Sequence, residues 1–224
     1  MNPSLLRRNI SIIICSVCLL FISSCTKTKI SGSGPVETES RPLSGFNQVA
    51  ISGSTDATVT QGTGYQLHIS AFSNLLPYLE TKLRDSALQI GYKPNTNVRN
   101  DNSEAFITLP RLIGVSTEGD GSISVTGNFT SQDFSASIMG SGNINLSEGT
   151  TQNLKINVMG SGGFTGSQFV ADNAEITIRG SGNVRVGVTT RLNVKIEGSG
   201  NVYYKGDPTD ISTKITGSGN VIKE

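Results

Sequence analysis

Side chains able to do chemistry are few in this chain and lie far apart. His68 is the only histidine in 224 residues. It stands between Leu67 and Ile69 in an alternating stretch, which turns it outward to solvent. A single histidine leaves no second base around which a Ser-His-Asp or Cys-His set could be built. Two of the three cysteines, Cys15 and Cys18, lie in an apolar leader, so with one histidine a zinc site lacks ligands. Cys15-x-x-Cys18 has a redox spacing, but a thioredoxin-like site needs a folded βαβ setting, and this pair lies in an apolar leader. The strand-face carboxylates Glu118, Glu175 and Glu197 fall in different repeats, whereas glycan-cleaving enzymes cluster theirs. The recurring Gly-Ser-Gly-Asn does not match the dinucleotide fingerprint, and no helix follows it to hold a phosphate. Only Asp120 stands at such a corner, so a calcium-binding β-roll is not expected either. These residues point to no catalytic group, no cofactor and no metal.

One cysteine has a use. Arg7 and Arg8 precede an apolar run from Ile10 to Ile22, too short for the ~20 residues of a membrane span. The run reads as the core of a signal peptide. It ends Ile22-Ser23-Ser24-Cys25, which resembles the lipobox of bacterial lipoproteins, with Ile in place of the usual Leu. In that arrangement the cysteine sulfur takes a diacylglyceryl group and becomes the new N-terminus. An ordinary secretory signal with Cys25 incidental is the alternative. Processing would discard Cys15 and Cys18, and acylation would occupy what is otherwise a lone exported thiol. The expected organisation is a signal peptide over 1–24, a flexible polar tether over 25–41 and a head domain over 42–224.

Lys and Arg number 18 against 17 Asp and Glu, a net charge of +1, and charged residues are only 16% of the chain. That balance lacks the basic face needed to displace phosphate counterions, so nucleic acid is not an expected partner. Glycine is abundant, 26 residues, and it is not random. GDGSI begins at Gly119, GSGNI at Gly140, GSGGF at Gly160, and GSGNV at Gly180, Gly198 and Gly217. A period near twenty residues marks a solenoid.

The elements that carry these corners follow from alignment on the first glycine. Ile138, Val158, Ile178 and Ile196 stand two residues before it; Ala136, Ile156, Ile176 and Val194 stand four before. Polar residues alternate with them, so each repeat holds a strand with one buried face. Like residues at constant period stack as parallel rungs. The expected fold is therefore all-β: a single-stranded right-handed parallel β-helix with a less regular N-terminal β region. The right hand is preferred because no six-residue repeat runs inside a turn. Asn143, Asn183, Asn201 and Asn220 follow the corners, with Ser122 and Gly163 as exceptions, and read as a structural Asn ladder. A row of ligand-binding amides is the alternative. Met139, Met159, Arg179 and Glu197 occupy the outward column just before the corner, a candidate contact face. The tether or the N-terminal hairpin covering that face is the competing expectation.

The N-terminal half is less periodic. Val49 to Val59 keeps the repeat frame. Tyr65 to Ala71 alternates as a strand. Leu79 to Leu83 and Leu88 to Tyr92 form a hairpin about Asp85-Ser86, and Lys93 to Ser103 is a polar loop.

Arg41-Pro-Leu-Ser-Gly-Phe46, Ile51-Ser-Gly53, Val59-Thr-Gln-Gly62, Leu88-Gln-Ile90 and Leu109-Pro-Arg-Leu112, followed by the serial GSGN corners, resemble the auto-transporter adhesin head (GIN) domain common in lipoproteins of Bacteroidetes. The resemblance covers roughly residues 42 to 222. It implies a right-handed β-helix and a cell-envelope location, and it carries over no catalytic residue. The expectation is a non-enzymatic binding, adhesion or scaffold module on the outer membrane of a Gram-negative bacterium, facing the periplasm or the surface. Its partners would be the membrane through the lipid, with self-association and a glycan or protein ligand as further candidates. The alternatives are a glycan-active enzyme on the same scaffold and a periplasm-facing assembly or stress accessory.

Overall fold

Stacked rungs account for most of the chain in the computed structural model, which describes residues 28–224. The leader with Cys15, Cys18 and Cys25 lies outside the described residues. In chain order the strands are β1 (Thr28–Ser31), β2 (Val36–Ser40), β3 (Gln48–Gly53), β4 (Asp56–Gln61), β5 (Gln66–Phe72), β6 (Leu79–Arg84), β7 (Ala87–Tyr92), β8 (Thr96–Arg99) and β9 (Glu104–Leu109). The repeat region continues with β10 (Gly114–Gly119), β11 (Ile123–Gly140), β12 (Ile144–Gly160), β13 (Phe164–Gly180), β14 (Val184–Gly198), β15 (Val202–Lys205), β16 (Asp210–Gly217) and β17 (Val221–Lys223). Among the described residues the sole helical element is one 3₁₀ turn, Leu76–Tyr78.

Parallel pairing runs unbroken through β10, β11, β12, β13, β14 and β16, with the corner glycines in register from Gly119 to Gly217. The apolar columns therefore superpose: Ile178 is fully buried with Val158 on one side and Ile196 on the other. The fold is an all-β solenoid. Variation in repeat length is absorbed away from the corner, by register shifts between Val125 and Asn128 and between Gly166 and Val170. Where the side of the solenoid narrows, Gly149 sits between Phe129 and Phe169. A Cβ there would lie 2.8 Å from the Phe169 ring, so glycine makes room for a stacked aromatic core in which Phe134 and Phe169 centroids are 4.9 Å apart.

The first rung is split. β3 stacks on β10 and β4 on the start of β11, although residues 62–113 intervene in the chain. That excursion closes the end of the stack. β7 adds to β3 and β9 to β4, both parallel. β6 then joins β7, and β5 joins β9, antiparallel. The β6–β7 turn has φ of 48° at Asp85 and 64° at Ser86, the two positive values of a tight hairpin. Reversal of strand direction ends the parallel frame, so no further rung can stack there.

Three expectations are corrected. Residues 25–41 are not a free tether throughout: β2 is antiparallel to β5 and β1 is parallel to β8. The Lys93–Ser103 loop contains β8, which exists because β1 pairs with it. His68 is half-buried rather than solvent-facing, because Ser40 of β2 and Phe106 of β9 flank it across the sheet. The cause is shared: β1, β2 and β8 are short polar strands with no periodic signal of their own, so neither they nor the cover β2 gives to His68 shows in the sequence.

Stacking makes the core register testable. Ile178→Asp places an unpaired charge among Val158, Ile176 and Ile196 and is expected to abolish cooperative folding. Ile178→Val is expected to cost about 0.5–1.5 kcal/mol. Thermal melts followed by circular dichroism distinguish the two; an Asp variant that melts like the parent would refute the register.

Candidate functional site

The broad outer face of the solenoid is built by strand alternation. In β10 to β16 every second side chain leaves the core, so each outward column holds one residue per rung, about 4.8 Å apart. The column beside the corner reads Glu118, Met139, Met159, Arg179, Glu197, and the paired register aligns these five residues one to the next. Met139 and Met159 are 38% and 40% exposed, high for apolar side chains on a sheet face. Arg179 Nε donates to Glu197 Oε2 at 2.9 Å, and Lys195 reaches the other carboxylate oxygen. Hydrogen bonds from Lys195 and then Arg179 hold the Glu197 carboxyl below its ordinary pKa. These charges lie in solvent and contribute little to stability. The four residues of the predicted contact face thus form one continuous strip, two apolar rungs followed by an ion pair.

Toward the closed end the strip opens into a groove of about 390 Å³. Small side chains at Ala50, Ser52 and Ser116 form its floor, and β6 and β7 contribute Lys82 and Tyr92. The hairpin edges the groove and leaves the methionines uncovered. Tyr92 fixes this wall. Its hydroxyl donates to Asp101 Oδ1 at 2.6 Å, and Ser54 Oγ donates to Asp101 Oδ2 at 2.6 Å. The Ser103 N–H completes the carboxylate at 2.9 Å. Burial, and then donation to Asp101, push the Tyr92 phenol well above the ordinary tyrosine range.

At the corner, side-chain oxygens accept backbone N–H groups from the next rung. Asn143 Oδ1 accepts from Gly163 at 3.0 Å, Asn183 Oδ1 from Asn201 at 2.9 Å, and Asn201 Oδ1 from Asn220 at 2.9 Å. The same bond uses Asp56 to Ser122 and Ser122 Oγ to Asn143. Any short side chain with an oxygen can serve, which is why Ser122 is not an interruption. Gly163 is one, because it offers no acceptor to Asn183.

A second ladder escaped sequence reading. Asn153 Nδ2 donates to Asp133 at 2.9 Å and Asn173 Nδ2 to Asn153 at 3.1 Å, with Arg191 next in the column donating to Asp210 at 2.8 Å. The residue type changes from rung to rung, so only the fixed distance from the corner could have revealed it. These residues border an open groove of about 600 Å³. Its carboxylates, Asp133 and Glu175, are two rungs and two residues apart, about 12 Å between their backbone positions. Both are exposed and both have partners, Asn153 and Lys155. No group of three or more His, Cys, Asp or Glu among the described residues could hold a metal ion. No helix among them is long and apolar enough to cross a membrane.

Residues 45–208 match the family described as "Putative auto-transporter adhesin, head GIN domain". No curated protein matches the chain. Among solved structures, a "putative adhesin" from Bacteroides fragilis shares 22% identity at TM-score 0.69, over 87% of this chain and 100% of that one. A "putative lipid binding protein" from Parabacteroides distasonis shares 27% at TM-score 0.55, over 88% and 100%. A "putative adhesin" from Parabacteroides merdae shares 19% at TM-score 0.56, over 88% and 99%.

The Tyr92 bond predicts an alkaline signature. The neutral phenol is the form the fold stabilises, so its contribution is full below the ordinary tyrosine pKa and is lost as pH rises beyond it. In a spectrophotometric titration one of the five tyrosines is expected to ionise only with unfolding. Tyr92→Phe should remove that late step and cost about 1.5–3 kcal/mol. Five tyrosines titrating together would contradict the bond.

Proposed function

We propose that this chain, which belongs to the auto-transporter adhesin head GIN domain family, is a lipid-anchored, non-enzymatic binding module of the bacterial cell envelope. The observation that carries this reading is the outward strip of Met139, Met159, Arg179 and Glu197, which is accessible and held on a rigid parallel sheet. Apolar rungs edged by an ion pair suit a protein surface, including a second copy of the same chain, since methionine adapts to an irregular partner. The floor of small residues beside it would admit a glycan or a peptide. Attachment would come through Cys25, giving an outer-membrane lipoprotein whose head faces the periplasm or the cell surface.

Two measurements test the two halves of this reading. Cys25→Ala should block incorporation of a clickable fatty acid and leave the precursor uncleaved; equal label on variant and parent would remove the anchor. Replacing Met139 and Met159 together by Ser should leave the melting curve unchanged and lower the mass seen by light scattering at high concentration. An unchanged mass in the folded variant would exclude the strip as a self-association surface.

A further inference from the structure

The segment that follows the anchor is bound to the head almost from its first residue. β1 begins at Thr28, whose N–H donates to the Asn95 carbonyl at 2.8 Å. Asn74 then clasps the chain from both sides: its Nδ2 donates to the Ser31 carbonyl at 2.8 Å and its Oδ1 accepts the Ser33 N–H at 2.9 Å. Asn100 Nδ2 donates to the Gly32 carbonyl at 2.8 Å. A Cβ at Gly32 would stand 2.2 Å from the Asn100 carbonyl oxygen, so the segment lies in a fitted slot. Pairing of β2 with β5 continues the attachment to Ser40. Between Cys25 and Thr28 there are three peptide links, a reach of about 10 Å when fully extended.

The ribbon formed by β1 and β8 has two unlike sides. Ile30 and Val98 pack against the core. Lys29 and Ser31 share the other side with their register partners Asn97 and Arg99, and all four are exposed. Neither Lys29 nor Arg99 forms an ion pair among the described residues, and the ribbon itself carries no carboxylate; Asp120 borders it beside Asn97. Elsewhere among the described residues eight of the thirteen other lysines and arginines are in ion pairs, among them Lys155 with Glu175, Arg179 with Glu197 and Arg191 with Asp210.

We infer that the β1–β8 ribbon is the membrane-facing end of the head, resting Lys29 and Arg99 on anionic lipid headgroups and directing the solenoid away from the bilayer. This rests on the lipid-anchor reading. A link of about 10 Å keeps the ribbon within contact range of the headgroups, where basic side chains are attracted to a negative surface. The closed end of the stack then lies near the membrane. The last rung lies five steps beyond β10, roughly 24 Å farther out if the axis stands upright. The Met139–Met159 strip is held between them, clear of the lipid.

The test uses the processed, acylated chain in vesicles of phosphatidylethanolamine and phosphatidylglycerol that carry an acceptor dye in the bilayer. Cys25 is blocked by acylation, so Asn97→Cys or Ser218→Cys supplies a single labelling site at the ribbon or at the last corner. Energy transfer to the bilayer is expected to be several-fold higher from position 97 than from position 218. Lys29→Glu with Arg99→Glu should narrow that difference severalfold, leaving only what the short link imposes, while the melting curve stays unchanged. Equal transfer from the two positions in the parent, or a difference that charge reversal does not change, overturns the inference. Acyl mass is measured on each sample. A chain that is not acylated and shows no transfer from either site would instead refute the anchor, and the orientation with it.

Discussion

Everything in this molecule depends on how closely two backbones approach at the corner. The carbonyl of each corner's first glycine accepts two N–H groups from the rung stacked on it. Gly140 receives those of Ser161 and Gly162 at 3.0 Å each, and Gly160, Gly180 and Gly198 repeat the pattern. Such contact leaves no room for a side chain. A Cβ at Gly160 would come within 2.3 Å of the Gly140 oxygen, and one at Gly162 within 2.0 Å of the Gly142 oxygen. The first glycine also holds φ near 130°, where side chains are strained. Corner contact therefore dictates sequence. It fixes rung against rung, sets the register of the columns and aligns Met139 with Met159.

From that constraint one can see why parts of the fold were legible in the residues and others were not. Gly-Ser-Gly at a period near twenty announces the corner, and the alternation before it announces the buried column, so the stack from β10 to β17 could be read directly. The hairpin at Asp85-Ser86 was also local. β1, β2 and β8 were not. Their apolar side amounts to Ile30 and Val98, and their positions are set by Asn74 and Asn100, more than forty residues from the carbonyls they bind. Short polar strands placed by remote side chains carry no period. The alignment of the outward column was legible for the same reason as the core, since register that aligns inward columns must align outward ones. The ladder from Asp133 to Asn173 was hidden because hydrogen bonding between rungs asks for a polar side chain and not for one residue type.

The two ends of the stack solve the exposed-edge problem differently, and this bears on what each end can do. At the start, antiparallel β5 and β6 end the parallel stacking, β2 extends the sheet beyond β5, and β1 pairs with β8 in a separate ribbon. At the far end β16 pairs only with β14 among the described residues, and all eight of its residues are exposed. Its inward column keeps Ile211 and Ile215 but places Thr213 between them. Lys223, stacked on Tyr204, pairs with Asp207. Polar and charged residues set into a column that is apolar in every earlier rung make the edge a poor template for indiscriminate strand pairing.

A stack with one reinforced end and one softened end leaves its flat flanks as the surfaces available for recognition. Corners contribute glycine backbone already committed to neighbouring rungs, and the inward columns are closed. Only outward side chains remain free to vary without cost to the stack, because each is anchored by a backbone whose geometry glycine and the buried columns have already settled. Rung register turns any such variation into an ordered row with a spacing of about 4.8 Å. This scaffold can therefore present different binding chemistries on one frame. In the present chain the row places two adjacent methionines before an Arg–Glu pair.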